Sequence, residues 1–343
     1  MKVLVTGGLG FIGSHTVVEL QNEGFEVVII DNLCNSSEEV INGIVNITGK
    51  RPEFEKLDLR EKGKVQEFFT RHSNIKGVIH FAAFKAVGES VANPLAYYEN
   101  NINTLVYILQ ELCLKKEANF IFSSSCTVYG QADEMPITEN APVKEAESPY
   151  GNTKQIGEEI IQDTCKVNTG LNAIALRYFN PMGAHPTTEI GELPIGVPQN
   201  LVPFITQTGV GLRDSLSVFG EDYPTPDGTC IRDYIHVVDL AKAHVIALKR
   251  LLDKKHTANY EVYNLGTGTG SSVLEVIHSF EKVSQTKLSY KVVDRRAGDV
   301  ITAYADTTKA NNVLGWQAAS TLDDAMKSAW DWEQKIRCSE KVS

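Results

Sequence analysis

Apolar residues come in short runs through the first half of the chain, separated by longer stretches in which apolar and polar positions alternate at helical spacing. The runs KVLVT (2–6), EVVII (26–30), EFEKL (53–57), GVIHF (77–81), NFIFS (119–123) and NAIALR (172–177) predict strands. Helical patterns are predicted near 11–23, 36–48, 61–71, 94–116 and 150–167. Alternation of strands with helices predicts right-handed crossovers and a parallel sheet covered on both faces. The fold expected from these six strands is α/β: a doubly wound, Rossmann-like parallel sheet with its ligand crevice at the carboxyl ends of the strands. After about Tyr178 the pattern changes. NPMGAHPTTEIGELPIGVPQN is rich in Pro and Gly and reads as loop. Shorter elements follow, with a helix near 238–250, a strand near 261–265, a helix near 272–283 and a final helix near 320–335. The expected division is a Rossmann domain over 1–178, to which some later segments return, and a smaller C-terminal α/β lobe over 179–343.

Composition narrows the class of ligand. Across 343 residues, 42% hydrophobic and 22% charged side chains are ordinary for a globular enzyme. A formal charge of −10 argues against a general nucleic-acid binder, because no basic face is available to neutralise phosphates. A small anionic ligand needs only one or two arginines and stays possible. The cysteines at 34, 113, 126, 165, 230 and 338 show no metal-ligand spacing and are expected to be reduced thiols. The run after Met1-Lys2 is too short for a signal peptide, and no stretch approaches the ~20 apolar residues of a membrane span. A cytoplasmic location is the expectation, with no membrane partner.

The first βα turn carries candidate chemistry. VLVTGGLGFIGSH places Gly7, Gly10 and Gly13 between the first predicted strand and the first predicted helix. Such glycines make the tight turn, admit a pyrophosphate to backbone N–H groups and let helix pack on strand. Asp31 closes the second predicted strand, where a carboxylate can accept from adenosine ribose hydroxyls and would repel a 2′-phosphate. That favours NAD over NADP. Asp58, in KLDLR, is placed either to meet an adenine edge or to cap the next helix. No G-x-x-x-x-G-K-[ST] motif is present.

Candidate catalytic groups follow. Ser123, Ser124 and Ser125 leave the carboxyl end of the fifth predicted strand, where one hydroxyl could hold a substrate oxygen. Tyr150 and Lys154 stand four apart on a predicted helix and so share a face. Tyr-x-x-x-Lys alone carries little weight in a chain with twelve tyrosines. An ammonium beside a phenol favours the phenolate, and a phenolate is a workable general base for an alcohol. Lys154 is therefore expected to lower the Tyr150 pKa.

Taken together, Gly7, Gly10, Gly13, Asp31, Ser125, Tyr150 and Lys154 resemble the extended short-chain dehydrogenase/reductases. The blocks TGGLGFIGSHT, DNLCNSS, VIHFAAFKAVGES, FIFSSSCTVYG, SPYGNTK, LRYFNPMGAHP, QNLVPFI, DGTCIRDYIHVVDLA, YNLGTGTGSSVLEV and RRAGD are similar, in order, to the UDP-glucose (UDP-galactose) 4-epimerases. The resemblance implies a tightly bound NAD and a UDP-sugar substrate. It implies that Tyr150 is general base, that Lys154 binds the nicotinamide ribose, and that Ser125 holds the sugar 4-oxygen. It further implies cofactor contacts from Gly7, Gly10, Phe11, Ile12, Gly13, Asp31, Asn32, Asn35, Ser36, Asp58, Leu59, Phe81, Ala82, Ala83, Lys85, Asn100, Ser123, Tyr150, Lys154 and Tyr178. Substrate contacts are implied for Lys85, Ser125, Tyr150, Phe179, Asn180, Asn200, Leu201, Phe219, Arg232, Arg296, Asp299 and Ala303. Arg232 and Arg296 have forks suited to a diphosphate, although each adjoins an acid, Asp233 or Asp299, with which it could simply pair. His236 reads as core strand, and no metal site is expected. The helices near 94–116 and 150–167 would suit a four-helix homodimer interface, as the family suggests.

Two departures from the family pattern stand out. Thr153 precedes the lysine where many relatives have serine, a harmless change. Ala303 stands where some members carry a bulky tyrosine in the sugar pocket, with Tyr304 displaced by one. A small residue there would leave room at the sugar 2-position, so UDP-GlcNAc and UDP-GalNAc are expected as additional substrates. Other readings remain. A nucleotide-sugar 4,6-dehydratase would want an acid pair where Cys126-Thr127 stands. A reductase would release its cofactor, and a non-catalytic dinucleotide sensor would have no need of Ser125, Tyr150 and Lys154 together.

Overall fold

The computed structural model describes residues 1–296 and 300–340, with side chains as far as Cys338. The first half alternates as expected: β1 (Lys2–Thr6), α1 (Phe11–Asn22), β2 (Glu26–Asp31), α2 (Val40–Thr48), β3 (Glu53–Lys56), α3 (Lys62–Arg71), β4 (Ile75–His80), α4 (Val87–Ala92), α5 (Pro94–Cys113), β5 (Ala118–Ser125), α6 (Pro149–Val167) and β6 (Leu171–Tyr178). A 3-10 turn over Cys126–Tyr129 follows β5. The second half contains β7 (Asn180–Met182), α7 (Leu201–Gly209), β8 (Leu216–Phe219), β9 (Ile231–Arg232), β10 (Tyr234–His236), α8 (Val237–Leu252), β11 (Tyr260–Leu265), β12 (Ser271–Ser272), α9 (Val273–Ser284), β13 (Tyr290–Val293), β14 (Thr302–Ala303) and α10 (Leu322–Glu340).

The main sheet has seven strands in the order β11-β6-β5-β4-β1-β2-β3, and every neighbouring pair is parallel. Six were expected; the seventh, β11, comes from the second half and pairs with β6 from Tyr260↔Ala173 to Leu265↔Tyr178. Side-chain alternation divides the core between the two faces. Val3, Val5 and Ile29 lie in one cluster with residues of α1, α2 and α8. Leu4, Val28 and Ile30 lie in the other, with residues of α3, α5 and α6. Strands buried on both faces explain why the runs are almost continuously apolar.

The remaining strands form three small sheets, β10-β7, β12-β9-β14 and β13-β8. Alongside them α7, α9 and α10 share a third cluster that includes Ile205, Phe280 and Trp330. Helix α9 opens on a capping box, with Ser272 and Glu275 each satisfying the other's backbone N–H. Helix α2 begins at Val40 rather than near 36, because Ser36 is drawn to Asp31 instead of starting the helix. No helix among the described residues is long and apolar enough to cross a membrane.

Candidate active site

At the carboxyl end of β1 the chain turns so tightly that side chains would collide. A Cβ on Gly13 would lie 2.2 Å from the Gly7 carbonyl oxygen, and one on Gly7 would lie 2.8 Å from the Ala82 nitrogen. Gly7 also adopts φ +66°, which favours glycine. Gly10 caps α1 without any side-chain hydrogen bond, so the helix presents its first N–H groups, and those of Phe11 and Ile12 lie among them, to whatever sits outside. Asp31 is buried at the end of β2 beside this turn. One of its oxygens accepts from Leu9 N–H, the other from Leu33 N–H and the Ser36 hydroxyl. A carboxylate so anchored keeps lone pairs for ribose hydroxyls. The donors, acceptor and clearance therefore fit an NAD.

Around Asp31 the other expected cofactor residues divide. Asn32 donates to Asp58, Asn35 lies exposed in the β2–α2 turn, and Leu59 is buried in the core. Asp58 does not cap a helix, since α3 begins at Lys62 with Glu61 as its N-cap. It is instead gripped by the Arg60 guanidinium and backbone, and that hydrogen bonding holds its carboxyl down at about 2. After β4, Phe81 is tied by its backbone to Thr6 and its ring lies 4.7 Å from that of His244 at a tilt of 46°, and Ala82 N–H reaches the Thr6 hydroxyl. Ala83 is half-buried in the same loop. Asn100 is buried in α5 and donates to Asn101, which in turn holds Phe84 and the Thr153 hydroxyl.

The catalytic candidates meet where β5 ends. Ser148 caps α6, and Pro149 starts it with a fixed φ, so Tyr150 and Lys154 fall on its first turns. Lys154 is 5% exposed; its Nζ donates to the Ser123 carbonyl at 2.7 Å and lies 5.8 Å from the Tyr150 ring centre. Burial brings its pKa down to about 8, against the pull of the Glu158 carboxylate. Ser123 Oγ and the Tyr178 hydroxyl are hydrogen-bonded at 2.6 Å, while the Ser124 hydroxyl donates to Glu158. Ser125 Oγ accepts from Thr127 N–H and is hydrogen-bonded to Tyr150. The Tyr150 phenol corrects the sequence reading. It is pushed up by burial and by the neighbouring Tyr178, and the Ser125 hydrogen bond offsets only part of that. The Lys154 ammonium, 5.8 Å from the ring centre, does not reverse the shift.

The second half lines the opposite side. Phe179, 3% exposed, clusters with Val128, Tyr129, Ile137 and Ala303, and with the partly buried Cys126 just after Ser125. Ala303 pairs with Arg232 across β14 and β9, and Asn180 N–H bonds the Asp233 carbonyl. Asp233 is not the partner of Arg232. It is fully buried and accepts from Thr267, Gly268 and Ala305 instead. The Arg296 guanidinium sits 4.6 Å over the Phe219 ring. Asn200 precedes α7, whose first residue Leu201 packs on the third cluster. Asn200 and Lys85 both donate to Glu192, which no motif had singled out. Asp299 lies outside the described residues. His236 caps α8 by accepting from Val238 N–H, in keeping with a structural role. Away from the crevice, Glu53, Glu55 and His72 have metal-like spacing, but Lys2 and Arg71 already supply cations there.

Known proteins give the same picture. The chain matches the family described as GDP-mannose 4,6 dehydratase over residues 4–329. A UDP-glucose 4-epimerase of Schizosaccharomyces pombe is 50% identical over 339 residues, covering 97% of this chain and 94% of that protein. The crystal structure of the Stenotrophomonas maltophila UDP-glucose-4-epimerase, with bound NAD and formylated UDP-arabinopyranose, superposes with a TM-score of 0.95 at 44% identity, covering 99% of each chain. That of the Bifidobacterium longum enzyme, in complex with NAD+ and UDP, gives 0.93 at 44% identity over 98% of this chain and 99% of the other. The glycine turn, Asp31 and the Ser125–Tyr150–Lys154 group thus sit in a chain that belongs to the UDP-glucose 4-epimerases, within the extended short-chain dehydrogenase/reductases.

Proposed function

We propose that the protein interconverts UDP-glucose and UDP-galactose by inverting sugar C4 around a permanently held NAD. The observation that carries this reading is the convergence of Ser125, Tyr150 and Lys154 at the end of β5, beside the glycine turn that opens α1. Bound NAD supplies a hydride acceptor that can return what it takes. Gly7, Gly10 and Gly13 would admit its pyrophosphate, Asp31 and Ser36 its adenosine ribose, and Lys154 and Tyr178 its nicotinamide end. Tyr150 takes the proton of the sugar 4-hydroxyl, and Ser125 holds that oxygen. Because burial disfavours the phenolate, Tyr150 grips a proton strongly once it has been ionised, and the Lys154 ammonium, 5.8 Å from the ring centre, would favour that ionisation. Arg232 and Arg296 would meet the diphosphate, and Phe179, Asn180, Asn200, Leu201 and Phe219 the sugar and uracil.

The cofactor falls to residues 1–178 with the returning segments, and the substrate to 179–343. Ala303, beside Phe179 and Val128, leaves the sugar side open, so UDP-GlcNAc and UDP-GalNAc should also be interconverted. Helices α5 and α6 pack together and are assigned the contact of a homodimer. Six free cysteines suit a cytoplasmic protein.

The test is to denature the purified protein, identify the released nucleotide, and assay UDP-galactose to UDP-glucose conversion without added cofactor. Tyr150→Phe should lose activity by about 10³-fold, within the range for general base catalysis, and keep its nucleotide. Accumulation of reduced cofactor with added NAD would point to a one-way reductase instead. Running the assay with UDP-GlcNAc tests the Ala303 reading: good galactose turnover with no UDP-GalNAc would end it.

A further inference from the structure

Glu158 lies one helical turn beyond Lys154 on α6 and is buried, 7% exposed. It gathers donors from three strands. The Ser124 hydroxyl at the end of β5 reaches one oxygen, and the Tyr260 hydroxyl on β11 reaches the other at 3.2 Å. From β6, Arg177 forks onto both, with contacts at 2.9, 3.2 and 2.6 Å. Arg177 continues to the Tyr129 hydroxyl, and Tyr129 to Asn264 on β11. A carboxylate removed from water needs such partners, and losing one partner of a buried pair is costly.

We propose that Glu158 is a positioning residue for Lys154, resting on the reading of Lys154 given above: it is the buried counter-charge that keeps the ammonium protonated, and it fixes α6 against the serine end of β5. Lys154 also meets Tyr150 on its own helix, the Ser123 carbonyl and Phe122 ring on β5, and His80 on β4. His80 is held neutral by burial, its pKa lowered to about 3, so it contributes no competing charge near neutral pH. The charge facing Glu158 from other elements is that of Arg177, with Tyr260 and Tyr129 as neutral phenols that burial pushes above their ordinary range. The Arg177 pair lowers the field that Glu158 exerts, but from one turn away the carboxylate still favours the Lys154 ammonium.

Two readouts test this. The first is the pH profile of UDP-sugar interconversion by wild type, Glu158→Gln and Glu158→Asp. The second is the titration of Lys154 followed by side-chain nitrogen NMR and assigned with Lys154→Met, which needs no turnover. In Glu158→Gln the loss of negative charge should lower the Lys154 pKa, moving the alkaline limb of activity and the NMR titration down by about one pH unit. Glu158→Asp, which keeps the charge, should restore most of both. Should the single variant fold poorly, Arg177→Met and Glu158→Gln/Arg177→Met isolate the same charge with the guanidinium absent from both, and Lys154 should titrate lower in the double variant than in Arg177→Met. A folded Glu158→Gln with Lys154 titrating as in wild type, or a double variant with Lys154 titrating as in Arg177→Met, would overturn the proposal. A wild type with no epimerase activity would overturn the functional reading alone, since the NMR titration still decides the role of Glu158.

Discussion

At Lys154 two demands oppose each other. Burial disfavours the ammonium, while the Ser123 carbonyl and Glu158 favour it. Its folded pKa of about 8 lies below the ordinary lysine value, so below about pH 8 folding must bury a charge, and stability rises as the pH climbs from there toward about 10.4. The gap corresponds to about 3 kcal/mol at neutral pH, less about 1 kcal/mol for the hydrogen bond to Ser123. Lys154→Met should therefore raise the melting temperature at pH 7 even as it abolishes turnover, and scanning calorimetry should find the gain shrinking above pH 8. A destabilised variant would mean that the ammonium is held more favourably than its burial suggests. The contact between Arg296 and Phe219 illustrates a different residue-scale economy. A guanidinium over an aromatic face keeps its donors free for phosphate oxygens.

Helices and strands whose faces are decided locally were readable from the chain. The buried runs of β1, β2 and β5 and the periodic α5 and α6 fall within a few residues of expectation, because burial on both faces leaves an unbroken apolar signature. Helical spacing sets Tyr150 and Lys154 on one face, but they were legible as a catalytic pair only with the glycine turn, Asp31 and Ser125 around them. The short strands β7, β9, β10 and β14 were not. Ile231–Arg232 becomes a strand only by pairing with Thr302–Ala303 and Ser271–Ser272, partners far away in sequence. Helix α4 was missed because Val87–Ala92 is too short to show a period. The Glu158–Arg177 pair joins α6 to β6, and nothing in either segment announces it. At this scale the glycine turn makes the sharpest prediction. Gly13→Ala would put a methyl group 2.2 Å from the Gly7 carbonyl oxygen, and because that atom is backbone the turn itself must move. The variant should lose its bound nucleotide and melt several degrees lower, as fluorescence of the released cofactor and calorimetry can show. Gly10→Ala, with 3.3 Å of clearance to the same oxygen, should do less.

For the molecule as a whole, a cofactor that joins the folded state alone adds stability by mass action, about 3 kcal/mol at a hundredfold excess over its dissociation constant. Stripping the nucleotide should lower the melting temperature by several degrees, and NAD should restore it in a thermal shift assay; an unchanged midpoint would argue against a resident cofactor. The path of the chain through the sheet has a separate bearing on biosynthesis. Strand β6 is laid down by Tyr178, yet its outer neighbour β11 is not made until Leu265. During translation the growing sheet therefore carries an open edge of paired-strand donors and acceptors, able to recruit a strand from another nascent chain. The main sheet is completed only once Leu265 has been made. Expression at high density, where nascent chains meet, is where its yield should be most sensitive to chaperones.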